Sequence, residues 1–148
     1  FKKKVLAFWE WTVKEQGLIK SKLGEEYNSF LSRMAELTIW LDKIDETTEK
    51  WLMLCAPYIE LEHRSAFFIE YLTKFVDEES VRRIGKILLK VLEFTTPTFR
   101  QEEIQLLVNR LFELGKKYPE VKETANNICN AYGRRGVHFL KDIWTGYN

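Results

Sequence analysis

Apolar side chains recur at spacings of three and four positions along almost the whole chain, which is the period of an amphipathic α-helix. Glycine, proline and clusters of small polar residues interrupt the pattern at only a few points. The pattern predicts eight helices, over about residues 3–21, 25–41, 48–58, 64–76, 80–94, 100–117, 119–132 and 137–144. We therefore expect an all-α fold of seven or eight helices in antiparallel pairs, arranged as an α-solenoid or as an irregular helical bundle.

Local signals set the expected helix boundaries. Thr47 or Thr48 is predicted to cap the third helix, and Pro57 to kink or end it. Gly115 is predicted to end the sixth helix, and Pro119 to open the seventh as a first-turn proline.

The first helix has more apolar side chains than one face can hold. Its predicted inward side chains are Val5, Phe8, Trp9, Thr12, Val13 and Ile19. Trp9 and Trp11 are two positions apart, about 200° around a helix, so they cannot both face one core. One of them is expected either on a second surface, as a contact with an adjoining domain or a dimer patch, or partly buried under the second helix.

The fourth and fifth predicted helices resemble the sixth and seventh. Phe68, Leu72 and Phe75 match Leu107, Leu111 and Leu114 at an offset of 39, and Val81, Gly85 and Leu88 match Val121, Ala125 and Ile128 at an offset of 40. A period near 40 with two helices per unit is typical of an α-solenoid. Over about residues 64–133 the pattern resembles HEAT-like repeats, which implies stacked helix pairs whose second helices line a concave surface. An irregular bundle produces similar matches, since any two antiparallel helix pairs align at apolar positions.

Two further resemblances concern the end of the chain. The stretch Leu114–Tyr118 is similar to the Leu-Gly-x-x-Tyr element of tetratricopeptide repeats, but Pro119 would fall inside that family's first helix, and Asn127 and Arg134 replace its later small residues. The stretch Leu111–Trp144 resembles the closing helices of large multidomain bacterial proteins with helical repeats behind a nucleotide-dependent or effector domain. That resemblance implies the C-terminal part of a larger protein.

Composition favours one compact domain over residues 1–148. The chain is 45% hydrophobic and 14% aromatic, which excludes disorder, and its net charge of +1 leaves no global field to attract DNA or anionic lipid. It begins at Phe1 rather than at methionine, so we expect a piece of a longer chain.

The cysteines and the apolar runs bear on location. Cys55 and Cys129 lie 74 positions apart in apolar surroundings, which favours buried thiols in a reducing compartment over a disulfide. The longest apolar run, Trp51–Ile59, is far shorter than the roughly 20 residues of a membrane span. We therefore expect a cytoplasmic protein without a membrane segment.

Catalytic motifs are scarce. His63 and His138 are 75 positions apart and share no helix face with further metal ligands. Glu60 and Glu62 lie beside His63 near a helix junction, a pattern more typical of an exposed turn than of a metal site. The stretch Gly133–Gly136 lacks the Lys-Ser/Thr of a phosphate-binding loop. We expect no catalytic residue, no metal and no cofactor, and hence no enzyme.

The charge pattern is more informative than the net charge. The fifth helix carries a basic strip within about 100° of its circumference, opposite its apolar stripe, formed by Arg82, Arg83, Lys86 and Lys90. The strip is either a solvated face or a site for an acidic partner or phosphates. If the loops after the sixth and seventh helices lie close together, the strip is extended by Lys116, Lys117, Arg134, Arg135 and Lys141.

The sequence therefore favours a non-catalytic helical scaffold or protein–protein interaction module whose partner is another protein or an adjoining domain of the same chain. The alternative is phosphate or nucleic-acid binding through the basic strip. Nucleic acid is disfavoured as a partner, because Glu93, Glu113 and Glu120 lie among the cations.

Overall fold

A computed structural model of the chain describes residues 2–59 and 68–148. In these two ranges the regular structure consists of helices and short 3₁₀ turns, without a strand. The eight α-helices with defined bounds are α1 (Lys2–Lys14), α2 (Gln16–Leu23), α3 (Tyr27–Glu36), α4 (Glu46–Cys55), α5 (Glu78–Val91), α6 (Gln101–Gly115), α7 (Pro119–Arg134) and α8 (Lys141–Tyr147). Residues 68–72 are helical as well. The predicted all-α fold is confirmed.

Aspartates cap α4 and α5. The Thr48 backbone N–H donates to Asp45 Oδ1 over 3.0 Å, and the Asp45 backbone N–H donates to Thr48 Oγ1 over 2.8 Å. In α5 the Ser80 backbone N–H donates to Asp77 Oδ1 over 2.9 Å. These backbone hydrogen bonds lower the pKa of both carboxyls. The predicted cap at Thr47 or Thr48 is corrected to Asp45, because the aspartate accepts from the end of the first turn and Thr48 completes a capping box.

The first predicted helix is divided in two at Glu15. The Glu15 backbone, with φ −105° and ψ 20°, leaves the helical region, and α2 begins at the next residue. The fourth predicted helix, over residues 64–76, lies partly outside the described residues, as do Phe67, Glu60, Glu62 and His63. In its described part, helical structure ends at residue 72 and a turn follows, so this helix ends four residues earlier than predicted.

The end of α7 shifts the start of the last helix. The Gly136 backbone has φ 75°, and the Val137 N–H donates to the Tyr132 carbonyl over 3.0 Å, the pattern of a Schellman C-cap. The helix therefore runs through Gly133 to Arg134, and the left-handed Gly136 completes the turn that ends it. The eighth helix begins at Lys141 rather than at the predicted residue 137, since the chain must first turn away from α7.

The helix pairs of the second half pack in register. Arg82 of α5 contacts Glu120 of α7 at 2.8 Å, and Arg135, just after α7, donates to the Leu92 carbonyl just after α5. The two helices thus run side by side in the same direction. The helix that lies between them in the sequence, α6, runs in the opposite direction. These contacts place the second helices of the two predicted units against each other. The resemblance to HEAT-like repeats itself stays a prediction.

The first half joins this stack through α4. The Trp9 ring of α1 stacks on the Trp51 ring of α4 with centroids 5.6 Å apart. The Arg83 guanidinium of α5 contacts the Glu49 carboxylate of α4 at 2.8 Å, and Ser80 Oγ accepts from the Ile44 N–H over 3.2 Å. One continuous apolar core therefore links the described helices.

The core follows the predicted inward faces in the central helices. The predicted inward residues of α5 are all 2% exposed or less, namely Val81, Ile84, Leu88, Val91 and Leu92. In α1 the prediction is wrong for Phe8, which is 40% exposed, because Trp9 fills the space against α4. Across both described ranges, none of the helices combines the length and the apolar character that crossing a bilayer requires.

Candidate functional site

The predicted basic strip lies along α5, but carboxylates neutralise most of it. Three of its four cations have a carboxylate partner: Arg82 with Glu120 at 2.8 Å, Arg83 with Glu49 at 2.8 Å and Glu79 at 3.1 Å, and Lys90 with Glu93 at 2.9 Å. The Arg83–Glu49 pair is the most enclosed of these, with side chains 23% and 14% exposed. Arg82 also lies over the Tyr118 ring, 4.5 Å from its centroid. Arg82 and Arg83 thereby connect α5 to α7 and to α4. The carboxylates that they contact neutralise much of the positive charge of the strip.

Lys86 is the exception in the strip. It is exposed and has no carboxylate partner within the described ranges. With Arg82 and Arg83 it lines an open depression of about 460 Å³ near the start of α5, which Glu78 and Glu79 line as well. Two carboxylates beside three cations leave little net field for an anion.

The predicted extension of the strip does not form one surface. Lys116 and Lys117 follow α6 and lie at the first turn of α7, whereas Arg134 and Arg135 lie at the other end of α7. The 16 residues of α7 separate these two groups by about 24 Å. The condition for this extension, that the two loops lie close together, is not met, because α6 and α7 are antiparallel neighbours and place their following loops at opposite ends.

The two candidate contact tryptophans of α1 have different surroundings. Trp9 is fully buried against Trp51, so it does not present a contact surface. Trp11 is 46% exposed and stacks on Phe8 with ring centroids 5.8 Å apart, and the Phe8 ring meets Phe30 edge-on at 6.2 Å. The prediction that the two indoles face different surfaces is confirmed, and Trp11 is the member that reaches solvent.

An open cleft lies between α7 and α8, and the sequence does not predict it. Its volume is about 740 Å³, and it is lined by Cys129, Asn130, Gly133, Arg134, Val137, His138, Leu140, Lys141 and Trp144. Leu140 is buried, Cys129 and Val137 are half-buried, and Trp144 is 41% exposed. The cleft therefore has an apolar floor and an exposed indole at its edge.

The α8 wall of the cleft is fixed to α6. The Tyr147 ring stacks on Phe112 with centroids 4.8 Å apart, and its hydroxyl donates to Glu113. The Tyr147 hydroxyl and then Lys116, which contacts the same carboxylate at 3.0 Å, lower the pKa of Glu113. These contacts hold α8 in place although it has only seven residues.

The loop that joins α7 to α8 is held as well. Gln105 Nε2 donates to the Phe139 carbonyl over 3.0 Å, and the Phe139 ring meets Tyr132 edge-on at 4.9 Å. Burial raises the pKa of the Cys129 thiol to about 11, so the thiol in the cleft wall is protonated at neutral pH. The cleft is thus a preformed surface without an activated nucleophile.

Metal chemistry has no support in the described ranges. No group of three or more histidine, cysteine, aspartate or glutamate side chains comes together there in a way that would hold a metal ion. His138 is exposed at the cleft, while His63 lies outside the described residues.

The sequence contained one signal for the cleft, the tryptophan of the short last helix. Arg134 is a candidate for the extension of the basic strip, and in the structure it lines the cleft together with Lys141 and Trp144 of α8. The position of α8 depends on the contact between Tyr147 and Phe112, which are 35 residues apart and which no local pattern connects.

The comparisons with known proteins do not assign a family. No protein-family model matches the chain, and no curated protein or solved structure matches it.

Proposed function

We propose that this chain is a non-catalytic helical scaffold or protein–protein interaction module that binds a segment of a partner protein in the cleft between α7 and α8. The cleft is the observation that carries the proposal. Its volume of about 740 Å³ lies within the range of ligand-binding sites, and its apolar floor is formed before any ligand arrives. Fixed walls reduce the ordering cost of binding.

The openness of the cleft favours a polypeptide over a small molecule. Arg134, His138 and Lys141 are exposed along it, and Trp144 is 41% exposed. A small-molecule site normally encloses most of its ligand, whereas here one side of a ligand would stay in water. A partner protein covers that side with its own surface.

Trp144 is the residue on which we expect binding to depend most. Tryptophan is enriched among the residues that dominate binding energy at protein interfaces, because it buries a large rigid area. Its exposed ring lies at the edge of the cleft, where it can pack on an apolar side chain of the partner.

A selection from an unbiased peptide display library tests this proposal. Peptides enriched on the full chain should lose at least about tenfold in affinity on a Trp144→Ala variant, in line with the cost of removing an interface tryptophan. Trp11→Ala is the matched control, since Trp11 is exposed to a similar extent on α1. Failure to enrich any peptide whose binding depends on Trp144 would contradict the proposal.

Phosphate or nucleic-acid binding through the basic strip is the second candidate function, and the unpartnered Lys86 favours it. Lys86→Glu isolates this cation, whereas reversing Arg82 would also break its contact with Glu120. If the strip binds phosphates, Lys86→Glu should abolish salt-sensitive binding of a fluorescent oligonucleotide, and the exposed Lys14→Glu should leave it intact. Equal binding by wild type and Lys86→Glu would exclude this function.

The proposed location is the cytoplasm, and the two free thiols support it. Cys55 is buried and Cys129 half-buried, and neither is in a disulfide. Alkylation of the denatured protein immediately after cell lysis should label both thiols. An oxidised pair would contradict a reducing compartment.

A further inference from the structure

Two cations line the cleft, and like Lys86 and other exposed lysines of the protein they have no carboxylate partner within the described ranges. Arg134 reaches the cleft from α7 and Lys141 from α8, and neither contacts a carboxylate within the described ranges. By contrast, Arg82, Arg83 and Lys116 each have a carboxylate within 3.0 Å. The positive charge at the cleft is therefore available to a ligand.

The lining of the cleft contains no carboxylate. Three other pockets of the described region each contain one or more: Glu78 and Glu79 beside the basic strip, Glu103 near Arg110, and Glu93 in a pocket that Arg134 and Arg135 also line. In the cleft, the polar members other than the two cations and His138 are neutral. One cation from α7 and one from α8 thus lie beside an apolar floor in a cleft whose own lining holds no carboxylate.

The positions of the cations, the indole and the apolar floor determine where a ligand must carry its charged and apolar groups. Lys141 and Trp144 are three residues apart on α8, so both lie on the same face of that helix. Arg134 lies across the cleft at the end of α7, and Leu140 and Val137 form the floor between the two helices. A ligand that places an apolar side chain on this floor has cations on both sides of it.

We propose that the partner segment is acidic, with carboxylates on both sides of one apolar side chain that packs against Trp144. This inference rests on the proposed function. Charge complementarity selects the partner and accelerates its encounter, while the apolar contact supplies most of the affinity. Free inorganic phosphate could contact the cations but would leave the apolar floor uncovered.

Three peptide sets with the same central phenylalanine distinguish the possibilities. The flanking positions carry aspartate and glutamate in the first set, serine and asparagine in the second, and lysine and arginine in the third. Fluorescence anisotropy then measures their affinities for the full chain and its variants. We expect the acidic set to bind at least about tenfold more tightly than the neutral set, and the affinity to fall with added salt.

The variants test whether the cleft cations cause this preference. Arg134→Glu with Lys141→Glu should weaken binding of the acidic set by at least about tenfold, and Arg134→Gln with Lys141→Gln by an intermediate factor. Lys14→Glu with Lys22→Glu makes the same change in net charge at exposed lysines of α1 and α2, and should change the affinity less than about twofold. Circular dichroism tests whether each variant is folded. If the glutamate double variant is unfolded, the affinity of the glutamine double variant tests the role of the cations instead.

The outcomes separate this inference from the proposed function. Neutral peptides that bind as tightly as acidic ones, but still need Trp144, would overturn the acidic partner and leave the interaction module intact. Failure of all three sets to bind would overturn both. Binding of phosphate that competes with the acidic set and does not depend on Trp144 would assign the cleft to a free anion and overturn the peptide inference.

Discussion

The indole of Trp9 is the largest fully buried side chain of the described core. It stacks nearly parallel to Trp51, with an angle of 3° between the ring planes, and thereby connects α1 to α4. Trp11, two residues later, is 46% exposed. It stacks on Phe8, and this pair lies on the side of α1 that faces away from Trp51. Two identical side chains on one helix thus have different roles, the first in folding and the second at the surface.

Replacing each of these tryptophans by alanine should have very different effects on stability. Trp9→Ala creates a cavity between α1 and α4 and should lower the free energy of unfolding by about 3–5 kcal/mol. Trp11→Ala removes an exposed ring and should lower it by less than about 1 kcal/mol. Urea denaturation followed by circular dichroism measures both, and equal losses would contradict the assignment of Trp9 to the core.

At the scale of the element, helix ends were predicted best where a glycine or proline changes the backbone. Pro119 opens α7 and Gly115 ends α6, as the sequence predicts. The capping residue of α4 was missed, because Asp45 and Thr48 both carry side chains that can cap and only the hydrogen bonds distinguish their roles. The predicted end of α7 is two positions early, since Gly133 is accommodated in the helix, which ends at Arg134, and the left-handed turn falls at Gly136.

The two glycines near the end of α7 provide a matched pair for testing this boundary. Gly136 has φ 75°, so Gly136→Ala forces a left-handed conformation and should destabilise the protein by about 1–2 kcal/mol. Gly133 is helical with open space around its Cα, so Gly133→Ala should be neutral or stabilise by up to about 1 kcal/mol. Thermal unfolding of both variants gives the sign of each change, and the same sign for both would contradict the C-cap at Gly136.

At the scale of the whole molecule, close approach of α6 and α7 makes their pairing specific. A Cβ placed on Gly115 would lie 2.7 Å from Lys122 Cβ and 2.8 Å from Lys122 Cα, so the two helices touch at this point without room for a side chain. This contact lies at the turn between the two helices, where the end of α6 meets the first turn of α7. The location of the cleft depends on the same geometry, because α7 forms one of its walls.

Gly115→Ala should therefore destabilise the protein by about 1–3 kcal/mol, the usual cost of overpacking a tight contact. The control is Gly17→Ala in α2, where an added Cβ meets nothing within 4 Å. Guanidinium denaturation of the two variants measures the difference. A Gly115→Ala protein as stable as the control would show that α6 and α7 can separate without cost.

The amino-acid sequence by itself determined the properties that depend on neighbours within a few turns: the all-α class, most of the helix faces, and the opposite orientations of Trp9 and Trp11. These follow from the 3.6-residue period, which is local.

The tertiary structure alone decided which cations are neutralised and which remain available. Arg82 meets Glu120 and Arg83 meets Glu49 only because α4, α5 and α7 pack together. Arg134 and Lys141 line one cleft because α8, held on Phe112 by Tyr147, packs beside α7. The Coulomb energy of two charged groups depends on their distance in space, and the number of residues between them in the sequence does not determine that distance.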